Sequence, residues 1–308
     1  MATTTSITTT YAGEFAGKYI SAALLSADTI EGGGITIKPN VKFKEVMKTL
    51  STDAIVKDAT CDFSDTSTIT LAEKILQPEE FQVNLELCKK DFHSDWEAIS
   101  MGYSAFDELP SNFADFLIGH VAAKVAQKTE QTIWTGATAN AGEFNGFGAL
   151  LAADGDVVDV VGTSVTAANV ITEMGKVVDA IPTSVYGKED LYIYVSSNVA
   201  RAYVRALGGF GASGLGANGV RNEGTTWFNN QDLAFDGVKI FVASGMADNT
   251  MVAAQKSNLF FGTGLLADSN EVKLLDMADL DGSQNVRVVM RYTAGVQIGI
   301  GADIVYYA

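Results

Sequence analysis

Little in this sequence can do covalent chemistry. Histidine occurs only at His93 and His120, and cysteine only at Cys61 and Cys88. Without a C-x-x-C pair, the cysteines frame neither a disulfide scaffold nor a zinc site, and they read as two free thiols in a reducing compartment. No G-x-S-x-G elbow, phosphate-binding G-x-x-x-x-G-K-[ST] loop or H-E-x-x-H helix is present. Long apolar runs are missing too. The most apolar stretch, Tyr292 to Ala308, alternates Val296, Ile298, Ile300, Ala302 and Ile304, and includes Gln297 and Asp303. It is shorter than the ~20 residues that a spanning helix needs, and its period of two is that of a strand. The first seventeen residues contain no Lys or Arg and are rich in threonine where a secretory signal needs an apolar core. The expectation is a soluble protein made in the cytoplasm, with no membrane partner.

Charge is sparse and one-sided. Charged residues make up 19% of the chain, against a usual ~25%. That shortage is the composition of a surface partly given over to protein contacts. Lys and Arg number 21 against 37 Asp and Glu, a net charge of −16. Such a chain cannot displace counterions along a phosphate backbone, so nucleic acid is not expected to be gripped directly. Lys38, Lys42, Lys44 and Lys48 form the one basic cluster, read either as a solvated, salt-bridged face or as a contact for an acidic neighbouring subunit.

The 308 residues suffice for roughly two domains and a core that needs no metal or disulfide. MATTTSITTT opens the chain with six threonines and no packing pattern, a flexible arm. A helical pattern follows over Tyr11–Ala27 and breaks at Gly32-Gly33-Gly34. Residues 35–90 are β-rich. The polar stretch Asp58–Thr68 lies between Ala54-Ile55-Val56 and Ile69-Thr70-Leu71, which predicts a long hairpin projecting from the body. A helical piece is expected around Phe92–Met101. The strongest helix runs from Ser111 to about Trp134, between Pro110 and Gly136, with an apolar stripe of Phe113, Phe116, Leu117, His120, Val121 and Val125. Beyond it, a helix near 167–181 stops at Pro182. The strand LYIYV (191–195) leads through Ser197, read as an N-cap, into a helix to Leu207. Glycine-rich sequence fills 208–231. Strands follow at 238–243, 251–254, 258–262, 271–275, 285–292 and 295–307. The class is α+β.

Candidate chemical sites all have plainer readings. Gly209-Phe-Gly211-Ala-Ser-Gly214 matches a dinucleotide fingerprint by letter but follows a helix, not a strand. Gly262-Thr-Gly264-Leu-Leu-Ala267 follows a strand but lacks the helix. His120 fits a core position, and His93 between Asp91 and Asp95 has no second histidine or cysteine to complete a metal site. Asp276, Asp279 and Asp281-Gly282 echo part of a calcium loop without its closing glutamate, and read as an exposed turn. No catalytic residue, cofactor-binding residue or metal ligand is assigned, and no enzymatic activity is expected.

The order of elements carries more information than any motif. Arm, hairpin, long helix ending in Trp134-Thr135-Gly136, then Phe144-Asn145-Gly146-Phe147-Gly148-Ala149-Leu150-Leu151, resembles the major capsid proteins of tailed double-stranded-DNA bacteriophages. ITLAEKILQPEEFQVNLELCKKDFHSDW (69–96) resembles their return from the extended loop to the spine helix. LYIYVSSNVARAYVRALGG (191–209) and FDGVKIFVASGMADNTMVAAQKSNLFFGT (235–263) resemble the strand–helix and return strands of their axial domain. The resemblance covers roughly residues 30–305.

It implies the Hong Kong 97 capsid fold, with an N-terminal arm (1–30), an extended loop and the start of the peripheral domain (31–90), and the peripheral domain with the spine helix (91–159). An axial domain (160–255) and return strands (256–308) complete it. It further implies a virion shell assembled in the host bacterial cytoplasm from hexamers and pentamers of this chain around DNA bound without sequence specificity. Separate scaffolding, portal and decoration proteins are possible partners. The inter-subunit contacts expected are Lys42, Lys44, Asp62, Phe63, Asp65, Phe210, Arg221, Trp227 and Phe228. Met1 leads almost directly into the arm, so any scaffold is expected to be a separate chain. No lysine, asparagine and glutamate set for a covalent cross-link is matched. One alternative is an encapsulin shell enclosing an enzyme cargo, against which the Thr-rich arm argues; another is a phage tail or decoration protein, which would form tubes, small rings or a surface layer instead of a closed shell. A hydrolase or lyase built on the acidic clusters would need paired carboxylates with separated pKa values.

Overall fold

The computed structural model describes residues 28–52, 55–59, 61, 65–88, 111–207, 233–264, 272–278 and 282–308. The expected arm and its helix over 11–27, the helical piece at 92–101 and the whole glycine-rich stretch at 208–231 lie outside them.

A short helix α1 (Asp28–Glu31) leads into β1 (Thr36–Lys38), and β2 (Glu45–Thr52) and β3 (Ile69–Leu76) form the hairpin. Then come β4 (Glu79–Cys88), α2 (Ser111–Thr135), α3 (Phe147–Ala153), β5 (Val158–Val160) and α4 (Val170–Asp179). The middle of the chain adds β6 (Leu191–Ser196), α5 (Ser197–Leu207), β7 (Ala234–Phe235), β8 (Val238–Ala243) and β9 (Met251–Gln255). It closes with β10 (Leu259–Gly262), β11 (Val272–Asp276), β12 (Asn285–Ile298) and β13 (Val305–Tyr307). At 1.5 Å per residue the 25 residues of α2 make a rod of about 37 Å.

Two sheets form the body. One is six-stranded in the order β5-β13-β9-β6-β8-β7. Its centre is the LYIYV strand, whose successive side chains enter opposite cores. Leu191, Ile193 and Val195 face Val170, Met174, Val177 and Val178 of α4 and Val199 and Tyr203 of α5. Tyr192 and Tyr194 face the other way, onto Ile133 and Trp134 at the end of α2 and Phe147 and Leu151 of α3. A strand covered on both faces must be apolar at every position, which explains the unbroken run. The crossover from β6 to its parallel neighbour β8 runs through α5. In the other sheet the long strand β12 pairs with β4 on one side and with β11 and β10 on the other, while β1 adds to β10.

Two strand boundaries differ from the sequence reading. The hairpin ladder runs from Glu45↔Leu76 to Thr52↔Ile69, so Ile55 and Val56 lie beyond it. Continuing that register would set Val56 against Asp65, a poor strand former. The expected break near Thr293–Gly295 does not exist, because β12 is continuous from Asn285 to Ile298. Gly295 marks a close approach instead, since a Cβ there would lie 2.9 Å from the Gln77 carbonyl oxygen. The chain turns only at Gly301–Asp303, and β13 then joins the six-stranded sheet. Ser197 is the first residue of α5, one place inside the cap position expected for it.

Candidate assembly interface

Among the described residues, the hairpin β2–β3 is attached to the body only at its root. Leu76 is fully buried and sits over Gly262, where a Cβ would come within 2.9 Å of the leucine Cδ2. Beside it, Lys74 Nζ lies 2.5 Å from Asp154 Oδ2 just past α3, and Gln297 Nε2 donates to the Ile75 carbonyl at 2.8 Å. The Lys74 ammonium holds the Asp154 carboxyl below the usual carboxylate range. On the other strand, Lys38 Nζ pairs with Glu45 at 3.0 Å.

Away from the root the hairpin carries apolar side chains that nothing described covers. The ladder places Val46 opposite Ile75, Leu50 opposite Leu71, and Thr52 opposite Ile69. Alternation puts all of them on one face, interrupted by Lys48 opposite Glu73. Leu50 and Leu71 are 63% and 69% exposed, and Val46, Ile69 and Ile75 are also exposed. Phe43, just before the ladder, is 69% exposed, and Val56, near the tip, is 90% exposed. The opposite face carries Met47, Thr49, Lys74 and Ala72. A two-stranded ribbon with one uncovered apolar face is not a self-sufficient unit in water, where three strands or a packed helix are needed.

Of the contact residues expected from sequence, Lys42 and Lys44 are exposed at the root and Asp65 is exposed near the tip. Lys44 Nζ lies 5.2 Å from the centre of the Phe43 ring. Asp62, Phe63, Phe210, Arg221, Trp227 and Phe228 lie outside the described residues. Sequence reasoning passed over Phe43, Leu50, Leu71 and Ile75. The alternation Val46-Lys48-Leu50 against Ile69-Leu71-Glu73-Ile75 was the available signal.

A second assembly of polar groups fixes where the chain leaves α1. Glu130, fully buried on α2, accepts hydrogen bonds from the Thr29 backbone N–H (3.1 Å) and Thr29 Oγ1 (2.5 Å), and Trp134 Nε1 donates to Thr29 Oγ1 at 2.8 Å. Burial raises the Glu130 carboxyl above its ordinary value, and the bonds from Thr29 only partly offset it. Gly245 completes the clasp: a Cβ there would stand 2.1 Å from the Glu130 carbonyl oxygen.

Nothing described resembles a reaction centre. His120 lies on α2, half-buried, and His93 lies outside the described residues, as do Asp279 and Asp281. Among the described residues no group of three or more His, Cys, Asp or Glu could hold a metal ion. No helix among them is long and apolar enough to cross a membrane. A half-open cleft between α2, α3 and the six-stranded sheet measures about 170 Å³ and is lined by residues including Trp134, Gly148, Met246, Val252 and Tyr306. It offers no pair of titratable groups.

No protein-family profile matches the sequence, and no curated protein sequence matches it. Solved structures do. The capsid of the native GTA particle superposes with a TM-score of 0.64 at 13% identity, covering 93% of this chain and 91% of that one. A chain of Mycobacterium phage Adephagia gives 0.59 at 16% identity over 93% and 91%. The capsid of Myoviridae phage XM1 gives 0.57 at 12% identity over 91% and 90%. At such identities the likeness is one of fold, and it extends over nearly the whole of each chain. The chain therefore has the α+β capsid fold of the Hong Kong 97 type.

Proposed function

We propose that this chain is a structural shell subunit, a major capsid protein that assembles into hexamers and pentamers of an icosahedral phage capsid enclosing double-stranded DNA. The observation that carries this reading is the hairpin: a folded projection whose apolar face is covered by nothing among the described residues. Burying Val46, Leu50, Ile69, Leu71 and Ile75 against another copy would contribute on the order of 5 kcal/mol per contact, discounted for the cover these side chains already have. Repeated around a ring, contacts of that size favour a closed assembly over the free subunit. The capsid structures of the same fold support the reading, as does the acidity of the chain, which suits a container whose DNA must not adhere to the wall.

In this account the arm (1–30) and extended loop reach onto neighbours. The peripheral domain is built on α2 and the β12 sheet, and residues 160–255 form the axial domain around β6, with Val305–Tyr307 contributing a strand to that sheet. The subunit catalyses no reaction. Scaffolding, portal and decoration proteins are its candidate partners, assembly takes place in the host bacterial cytoplasm, and the mature location is the virion. Replacing Asp58–Thr68 by a short Gly-Ser turn tests the role of the hairpin. The variant is expected to fold as a monomer, with unchanged circular dichroism and melting, and to form no closed particles by electron microscopy. Normal particles from it would count against the hairpin as the assembly element.

A further inference from the structure

The two ends of the hairpin carry opposite charge. Residues 38–48 at the root hold four lysines against Glu45, a net of three positive charges. Residues 53–68 around the tip hold four aspartates against Lys57, a net of three negative charges. Each end also shows an exposed apolar side chain, Phe43 at the root and Val56 at the tip. Lys42, Lys44, Asp58 and Asp65 are all exposed, and none of them forms an ion pair with another described residue.

The complementarity cannot be satisfied within one chain. From Glu45 to Thr52 the ladder spans seven intervals, about 23 Å, and a paired ribbon cannot fold back to bring its tip onto its root. We propose that the tip of one subunit docks on the root of a second copy of this chain, Asp58 and Asp65 facing Lys42 and Lys44, with Val56 packed near Phe43. The contact is head-to-tail: each subunit gives a tip and receives one. Heterologous contacts of this kind close into rings when the rotation permits. This rests on the shell reading and adds to it which part of the second copy receives the hairpin and what sets the order around the ring.

Charge reversal tests it in the full-length chain. One variant carries Lys42→Glu with Lys44→Glu, and the other Asp58→Lys with Asp65→Lys. All four positions are exposed, so both variants should melt like the parent. Alone, each presents like charges at every contact, and the concentration needed for assembly should rise at least tenfold. Mixed in equal amounts, they restore opposite charges wherever the two types alternate. The mixture should therefore form even-membered rings, with alternation confirmed by native mass spectrometry, while five-membered rings stay depleted because strict alternation cannot close them. Either variant assembling alone at the parent's threshold, or a mixture no better than its components, would overturn the contact. If the parent chain forms no assembly under any condition, the shell reading itself fails, and the contact with it.

Discussion

Leu71 and Leu76 stand five residues apart in β3, and truncating each to alanine should affect different properties. Leu76 is fully buried at the hairpin root, against Gly262, whose backbone belongs to the β10–β12 ladder. Removing its isobutyl group forfeits the transfer energy and leaves a cavity that a hydrogen-bonded sheet cannot easily close. Leu→Ala changes in such sites cost about 2–5 kcal/mol, and the constrained neighbours place this one in the upper half. In a chain of this size that lowers Tm by roughly 5–8 °C, at ~1.5 °C for each kcal/mol. Leu71 is mostly in water already, so Leu71→Ala should change monomer stability by less than ~0.5 kcal/mol. If another copy covers the hairpin face, the same truncation costs up to ~2 kcal/mol at every contact in the ring, and assembly should be strongly weakened. The assay pairs monomer calorimetry with light scattering of assembly. Equal monomer losses for the two variants, or unimpaired assembly of Leu71→Ala, would refute the division between root and exposed face.

Two carboxylates should give stability slopes of opposite sign with pH. Glu143 is held at about 2, against an ordinary 4.5, chiefly by the Lys128 ammonium and then by Asn140 and the Ala137 N–H. Its folded value lies below its unfolded one, so its contribution is present above pH ~4.5 and is lost as pH falls towards ~2. Glu143→Gln should flatten that acid limb in thermal melts. Burial raises Glu130, so the fold favours its protonated form, and stability should fall as pH rises from 4.5 through its raised value. Glu130→Gln should remove that slope. It should also cost about 1–3 kcal/mol, because its amide nitrogen would face a Thr29 donor that the carboxylate now satisfies.

Much of the architecture was legible from periodicity and punctuation. Pro110 and Gly136 bracket α2, Pro182 follows α4, and the LYIYV run marks a strand buried on both faces. β-Propensity favours a strand at Ile55 and Val56, but propensity is local and a ladder needs a partner; the ladder stops at Thr52↔Ile69, and continuing its register would set Val56 against Asp65. The gap expected at 293–294 is bridged because β12 runs unbroken to Ile298, and the nearby Gly295 is a point where another backbone passes close by, which no local pattern announces. On the hairpin, charge makes Lys42, Lys44 and Asp65 conspicuous in the sequence. The apolar face of Leu50, Leu71 and Ile75 was overlooked because exposed and buried leucines look alike in a sequence. The clasp of Glu130 on Thr29 joins residues 101 positions apart, and no local pattern announces it.

Electron cryomicroscopy of particles formed by the purified chain shows whether other copies of this chain cover the hairpin's apolar face. The expected result is closed polyhedral shells in which β2–β3 of each subunit lies over a neighbour, with Leu50 and Leu71 buried at the contact. Shells in which those side chains still face solvent would contradict it.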